Sequence, residues 1–107
     1  MAKIIIADTS CLISLHKIEL LPVLKDLYGE VFVTTGIQRE FGEVLPDWIS
    51  LKNPLESEQL VFLQSILDKG EATALALALQ VDNALVIIDE LKGRNIASSM
   101  GLVPLVF

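Results

Sequence analysis

The chain has 107 residues, of which 52% are hydrophobic and 21% charged, and its 14 acidic residues outnumber its 8 basic ones to give a net charge of −6. This length suits one domain, and the high apolar fraction excludes an intrinsically disordered chain. The acidic excess argues against nucleic-acid binding through a broad basic face, but it is compatible with an acidic metal site that acts on phosphates.

The first half of the chain predicts two strands, each followed by helical sequence. Residues 3–7 form a continuous apolar, β-branched run, the pattern of a parallel strand that is buried on both faces. Hydroxyl residues of the kind that cap helices follow both predicted strands. In chain order we expect a strand at 3–7, a helix after Thr9 and Ser10, a second short helix at 20–28, a strand at 31–33 and a helix from Thr34 or Thr35 to about Gly42.

The second half continues this alternation. Residues 57–69 have the apolar spacing of an amphipathic helix, followed by Gly70 as a break, and residues 71–81 are rich in Ala and Leu on all sides, which indicates a helix buried against a sheet. In chain order we expect an irregular segment or weak strand at 45–51, helices at 57–69 and 71–81, a strand at 84–88, a helix at 90–100 and a last strand at 102–107. Strands that alternate with helices predict an α/β domain with a mainly parallel sheet of about four strands.

Two of the predicted strands are each followed by an aspartate. Asp8 comes directly after the strand at 3–7, and Asp89 directly after the strand at 84–88. Ligands of open α/β sheets bind beyond the carboxyl ends of the strands, so two parallel neighbours would bring both carboxylates into one crevice. Grouped carboxylates repel one another, and oxygen-only ligation suits a hard divalent ion such as Mg²⁺ or Mn²⁺. The alternative is that each aspartate caps the helix that follows it.

Two glutamates would complete a quartet of acids. Glu40 lies on the helix predicted after the second strand, between Ile37 and Phe41, which should face the core. Glu71 stands in the first turn of the buried helix, where its charge also suits the helix dipole. Because that helix is nearly all apolar, its first turn should lie close to the sheet. Spacing alone therefore leaves a four-acid site and ordinary helix stabilisation as competing interpretations.

Four motifs occur in a characteristic order along the chain. They are Ile-Ile-Ala-Asp8-Thr9-Ser10, Thr-Thr-Gly-Ile-Gln-Arg-Glu40-Phe, Gly70-Glu71-Ala-Thr-Ala-Leu-Ala-Leu-Ala and Ile-Ile-Asp89-Glu90-Leu-Lys-Gly-Arg94-Asn-Ile-Ala. Together they resemble the PIN-domain ribonucleases, most closely the prokaryotic subgroup that is often paired with antitoxins. The resemblance extends over essentially the whole chain. It implies a three-layer α/β/α fold and hydrolysis of RNA phosphodiester bonds with Mg²⁺ or Mn²⁺, in a toxin with an antitoxin-like partner.

The resemblance also implies roles for individual residues. Asp8, Glu40, Glu71 and Asp89 would be the acidic quartet that holds the metal and carries catalysis. The accessory positions would be a hydroxyl at Ser10 and an acid at Glu90. Three basic residues near the acids are candidates for contacts with phosphate, with a solvated surface charge as the alternative for each: Arg39, Lys92 and Arg94.

The chain departs from the family pattern at its C-terminal end. Family members usually continue past the last strand with further helices, whereas this sequence ends at Phe107. We therefore expect a single PIN-like domain over residues 1–107 that lacks those helices. An apolar edge strand favours pairing with another chain. This predicts that an antitoxin-like partner covers the edge, or that the protein forms a homodimer or higher oligomer.

Two further expectations concern the compartment and the alternatives to catalysis. No apolar run approaches the roughly 18 residues that span a bilayer, and the single cysteine suits a reducing cytoplasm, so we expect a cytoplasmic protein without a membrane segment. The main functional alternative is a catalytically inactive, shortened PIN-like domain that binds an antitoxin or another protein. A phosphoacceptor or phosphohydrolase domain is disfavoured, because Asp8 lacks a second aspartate two residues on.

Overall fold

Strands and helices alternate along the chain in the computed structural model, which describes residues 4–88, 91–102 and 104–105. The elements in chain order are β1 (Ile4–Ala7), α1 (Thr9–Lys17), α2 (Pro22–Tyr28), β2 (Val31–Val33), α3 (Thr35–Phe41), β3 (Ile49–Leu51), α4 (Glu58–Ile66), α5 (Lys69–Gln80), β4 (Ala84–Ile87), α6 (Leu91–Ser99) and β5 (Pro104–Leu105). The longest of these helices has 12 residues. Within the described ranges, no helix is long and apolar enough to cross a membrane.

The strands form one sheet in the order β3-β2-β1-β4-β5, and all four strand pairs are parallel. The first strand lies at the centre and pairs with β4 in continuous register, from Ile4 opposite Ala84 to Ala7 opposite Ile87. The described sheet has one strand more than the expected four, because β3 forms in the segment that the sequence left as irregular or weakly extended. The predicted α/β fold with a mainly parallel sheet is confirmed.

The α5 helix is the most buried of the helices. Every residue from 70 to 78 is buried, and the helix contacts both β1 and β4. Small Ala side chains alternate with Leu here, which lets the helix axis approach the sheet closely while the Leu side chains fill the space between them. The prediction of a buried helix is confirmed, and Glu71 and Thr73 are its buried polar residues.

The boundary between α4 and α5 differs from the expected one. The α4 helix ends at Ile66, not at residue 69, because Leu67 is extended, with φ −128° and ψ 162°. Asp68 then caps α5, and its Oδ1 accepts a hydrogen bond from the backbone N–H of Glu71 at 2.9 Å. Gly70, which the sequence suggested as a break between helices, therefore lies inside the first turn of α5.

A buried pair of hydroxyls joins the start of α3 to the second turn of α5. Thr34, not Thr35, is the α3 cap, because its Oγ1 accepts from the backbone N–H of Ile37 at 3.3 Å. The Thr34 and Thr73 hydroxyl oxygens lie 2.6 Å apart, and Thr73 donates to the carbonyl oxygen of Lys69 at 2.7 Å. The pair fixes the relative position of the two helices that carry Glu40 and Glu71.

Candidate active site

Asp8 stands directly beyond the central strand of the sheet. Its backbone N–H donates to the carbonyl oxygen of Ile87 at 3.0 Å, which continues the β1–β4 ladder to the end of both strands. The Asp8 side chain is only 1% exposed. Asp89 follows Ile87 by two positions but lies outside the described residues, as does Glu90. The strand register thus supports the sequence argument for Asp8 and leaves the place of Asp89 a prediction.

The Asp8 carboxylate does not cap the helix that follows it. Asp8 occupies the N-cap position of α1, but its side chain makes no capping hydrogen bond. Its Oδ2 instead accepts from the Ser10 hydroxyl at 3.1 Å, and its Oδ1 is buried without a hydrogen-bond partner in the described part of the chain. The capping alternative is therefore wrong for Asp8, whose carboxylate is held with one oxygen unused.

Burial raises the pKa of Asp8 from 3.8 to about 6. The backbone N–H of Thr9 and the Ser10 hydroxyl stabilise the charged form and oppose this change, whereas the negative charges of Asp68 and Glu40 reinforce it. A buried carboxylate without a counter-charge disfavours its own ionisation. At neutral pH the charged form of Asp8 is therefore a source of instability that a bound cation would relieve.

Glu40 reaches the same region from α3. The Thr9 hydroxyl donates to its Oε1 at 2.8 Å, and the carboxylate lies against the first turn of α5 at Gly70. A Cβ added to Gly70 would overlap the Glu40 Oε1 and would lie 2.9 Å from its Cδ and 2.8 Å from the Thr9 Oγ1. Glycine is therefore required at this position for Glu40 to keep its place. The hydroxyls of Thr9 and Ser10, expected to cap a helix, instead hold two carboxylates.

The first turn of α5 contributes two further acids. Glu71 is 4% exposed despite its charge, and it precedes by two residues Thr73, whose hydroxyl anchors this helix to α3. Asp68 was missed by sequence reasoning, although its position three residues before Glu71 resembles a helix capping box. That signal could have located the helix start and, with it, a further carboxylate beside Gly70.

These side chains line one small pocket of about 260 Å³. Its lining residues are Asp8, Thr9, Ser10, Ile13, Glu40, Asp68 and Glu71. The structure therefore brings together three of the four predicted acids and adds Asp68; we call this set the acidic pocket. Within the described ranges no three His, Cys, Asp or Glu side chains come close enough together to hold a metal ion. The donor chemistry still fits a hard divalent ion, because every candidate ligand is an oxygen and one buried carboxylate oxygen has no other use.

The two predicted phosphate contacts whose side chains the structure describes, Arg39 and Arg94, do not line the acidic pocket. Arg39 is exposed and lines a separate groove on the other side of α3. Arg94 is half-buried on α6, and its Nε is buried without a hydrogen-bond partner among the described residues. Lys92 belongs to the same helix, but its side chain lies outside the described part of the structure. The roles of Arg94 and Lys92 stay predictions.

A larger cleft lies away from the carboxylates. It encloses about 630 Å³ between the end of α1, the start of α2 and the segment that precedes β3, where His16 and Trp48 form part of its wall. The His16 ring also packs edge-on against Phe41, with ring centroids 5.4 Å apart. His16 therefore packs at the surface of the fold and does not line the acidic pocket.

The fold and the acidic pocket define a class: an α/β domain with carboxylates gathered beyond the central strand of a parallel sheet. A family model described as a PIN domain matches residues 4–104, and the chain belongs to the PIN-domain family. This confirms the resemblance of the four sequence motifs and identifies the architecture as a nuclease-type fold. Searches of curated proteins and of solved structures gave no match.

Proposed function

We propose that the protein is a metal-dependent ribonuclease that hydrolyses RNA phosphodiester bonds in its acidic pocket. One observation carries this proposal: the Asp8 carboxylate is buried beyond the central strand, with its Oδ1 left without a hydrogen-bond partner in the described residues. Buried carboxylate oxygens without a hydrogen-bond partner are rare in folded proteins, and those that occur are often found at functional sites. The PIN-domain family match supports nuclease chemistry as the function of this site.

Asp8, Glu40 and Glu71, together with Asp89, are the residues that we propose hold a divalent ion, Mg²⁺ or Mn²⁺. When bound, such an ion polarises the scissile phosphate and lowers the pKa of the attacking water. The chain supplies oxygen ligands only, which suits either ion and disfavours softer metals. Because a bound ion would activate water as the attacking group, the proposed reaction requires no Ser, Cys or His nucleophile.

The neighbouring side chains keep the ligands in place before any substrate arrives. Ser10 donates to one oxygen of Asp8 and leaves the other available, and Thr9 donates to Glu40. Asp68 holds the first turn of α5, which fixes the backbone position of Glu71. Carboxylates that are already oriented need little reorganisation when the ion and the phosphate bind, which favours catalysis.

A cleavage assay on a fluorescent single-stranded RNA tests this proposal. The parent chain and the Asp47→Asn control, which changes an exposed aspartate outside the acidic pocket, are expected to cleave the RNA with Mn²⁺ and to stop in EDTA. Asp8→Asn and Asp89→Asn are expected to lose about 100-fold or more in rate, because each would remove a ligand. Equal cleavage by all four proteins would contradict the proposal, and metal-independent cleavage would do the same.

Other consequences of the resemblance stay predictions. They are a toxin role, an antitoxin-like partner and assembly into a homodimer or higher oligomer. The catalytically inactive alternative makes a separate prediction, namely that no divalent ion supports RNA cleavage by the parent chain. The cleavage assay therefore separates an active nuclease from a domain that only binds another protein.

A further inference from the structure

A second polar groove lies beside the acidic pocket. It encloses about 330 Å³ between the start of α3, the segment after β3 and the first turns of α4 and α5. Thr35, Arg39, Asn53 and Lys69 contribute its polar wall, and Glu56 is the acid that lines it. We call it the basic groove, because two of the eight cationic residues of an acidic chain meet there.

On α3 and at the start of α5, neighbouring residues of opposite charge line different sites: the cation lines the basic groove and the acid lines the acidic pocket. On α3, Arg39 lines the groove and its neighbour Glu40 lines the pocket. At the start of α5, Lys69 lines the groove while Asp68 lines the pocket. The first turn of α5 thus forms a wall between a cationic site and a carboxylate site. A chain of phosphates with one group in the pocket would bring its next group towards the groove.

The walls of the groove are held by close packing and hydrogen bonds. A Cβ on Gly36 would lie 3.3 Å from the Lys69 Cγ, so the backbone of α3 packs directly on the stem of this lysine. On the opposite wall, Asn53 accepts from the backbone N–H of Thr35 at 2.8 Å and donates to its hydroxyl at 2.9 Å. The groove therefore exists before a ligand binds, which lowers the entropy lost on binding.

The two cations are available to a ligand. Both Arg39 and Lys69 are exposed, and neither forms an ion pair with another residue in the part of the chain that the structure describes. A guanidinium offers paired donors to phosphate oxygens, and an ammonium adds a mobile point charge. An acidic chain repels RNA over most of its surface, so a local pair of cations next to the reaction site has a large influence on binding.

We propose that the basic groove binds the RNA phosphate next to the scissile one, through Arg39 and Lys69. This inference rests on the proposed ribonuclease function and adds to it a site that sets how the strand enters the acidic pocket. Glu56 opposes the same phosphate by like-charge repulsion and so limits the affinity of the groove. An acidic peptide would meet the same cations, but it has no phosphate to place in the neighbouring pocket, which is why RNA is the favoured ligand.

Binding of a labelled single-stranded RNA, followed by fluorescence anisotropy, tests the groove apart from catalysis. The measurements use the full chain with Asp8→Asn, so that the RNA stays intact, and they are repeated from low to moderate salt. Arg39→Gln and Lys69→Gln are each expected to weaken binding by about 3- to 10-fold and to reduce the slope of log affinity against log salt by about 0.7. Glu56→Gln is expected to tighten binding by about 2- to 3-fold through loss of repulsion.

Lys25→Gln is the matched control, because Lys25 is an exposed lysine on α2 that does not line the groove. It is expected to leave the salt slope unchanged. The groove assignment is wrong if Arg39→Gln and Lys69→Gln behave as this control does while the Asp8→Asn chain binds RNA and the parent chain cleaves it. It is also wrong if a labelled glutamate-rich peptide binds the groove more tightly than the RNA. If the chain neither binds nor cleaves RNA, both the groove and the ribonuclease proposals fail.

Discussion

Asp8→Asn is expected to make the metal-free protein more stable at pH 8 while it removes ribonuclease activity. Burial raises the folded pKa of Asp8 to about 6 from 3.8, so between these values the folded chain holds a proton that the unfolded chain has released. Stability contributed by this group therefore falls as the pH rises from about 4 to about 6, and it stays low above that. Removing the charge should recover about 2–3 kcal/mol, or roughly 10 °C in melting temperature.

Thermal melts in EDTA at several pH values measure this effect. The difference between Asp8→Asn and the parent chain is expected to be largest at pH 8 and to shrink towards zero near pH 4. Asp47→Asn serves as the control, because it removes the charge of an exposed aspartate and leaves the buried Asp8 carboxylate unchanged. Added Mn²⁺ should stabilise the parent chain and not Asp8→Asn. An unchanged or lower melting temperature for Asp8→Asn at pH 8 would show that the charged Asp8 carboxylate does not destabilise the metal-free fold.

Gly70→Ala is expected to reduce activity by about 10- to 100-fold with little change in stability, the size of effect seen when the support of a metal ligand is lost. The new Cβ would occupy the position of the Glu40 Oε1, and it would also crowd the Thr9 hydroxyl that holds this oxygen. Glu40 lies at the end of a flexible side chain and can swing away at small cost. Ala is also favoured over Gly within a helix by about 1 kcal/mol, which offsets the displacement.

A double-mutant cycle with Glu40→Gln tests the route of this effect. Because Gly70→Ala acts by displacing Glu40, the double variant should be no slower than Glu40→Gln alone, and the two losses should not add. The readouts are the cleavage rate with Mn²⁺ and the melting temperature in EDTA. Additive losses in rate would mean that Gly70 matters for another reason, and a large loss of stability would mean that the Cβ disturbs the helix start itself.

Much of the fold could be predicted because its elements have strong local patterns. The run at residues 3–7 gave the central strand, with Asp8 at its end, and the Ala- and Leu-rich run gave the buried helix that carries Glu71. The sequence does not clearly predict the strand β3, because three residues without a clear alternation of polar and apolar side chains carry little signal. Its formation depends on pairing with β2, which lies about 18 residues earlier in the chain.

The details of the site depend on contacts that local patterns do not encode. A hydroxyl after a strand is a typical helix cap, and nothing in the sequence near Thr9 shows that Glu40 approaches it from another helix. The same holds for Gly70, which looks like a helix break until the Glu40 carboxylate is seen against it. For Asp8, only the folded position of the side chain decides between a cap and a buried carboxylate with an unused oxygen.

The acidity of the chain also has a structural explanation. Asp8, Glu40, Asp68 and Glu71 gather in one pocket, and the cations Arg39 and Lys69 line the groove on the other side of the same helices. The net charge of −6 is therefore no argument against RNA as a substrate, because the carboxylates are gathered in one pocket and two cations lie together in the adjacent groove. A divalent ion in the pocket would neutralise much of the excess where the phosphate has to approach.

Binding of a divalent ion by Asp8 is tested most directly by crystals soaked in Mn²⁺, with anomalous diffraction used to locate the ion. A peak is expected in the acidic pocket within ligating distance of the Asp8 carboxylate, with oxygen ligands from Glu40, Glu71 or Asp89, and the peak should be lost in crystals of Asp8→Asn. An acidic pocket without a peak, at a Mn²⁺ concentration that supports RNA cleavage, would contradict the assignment of the metal site to these carboxylates.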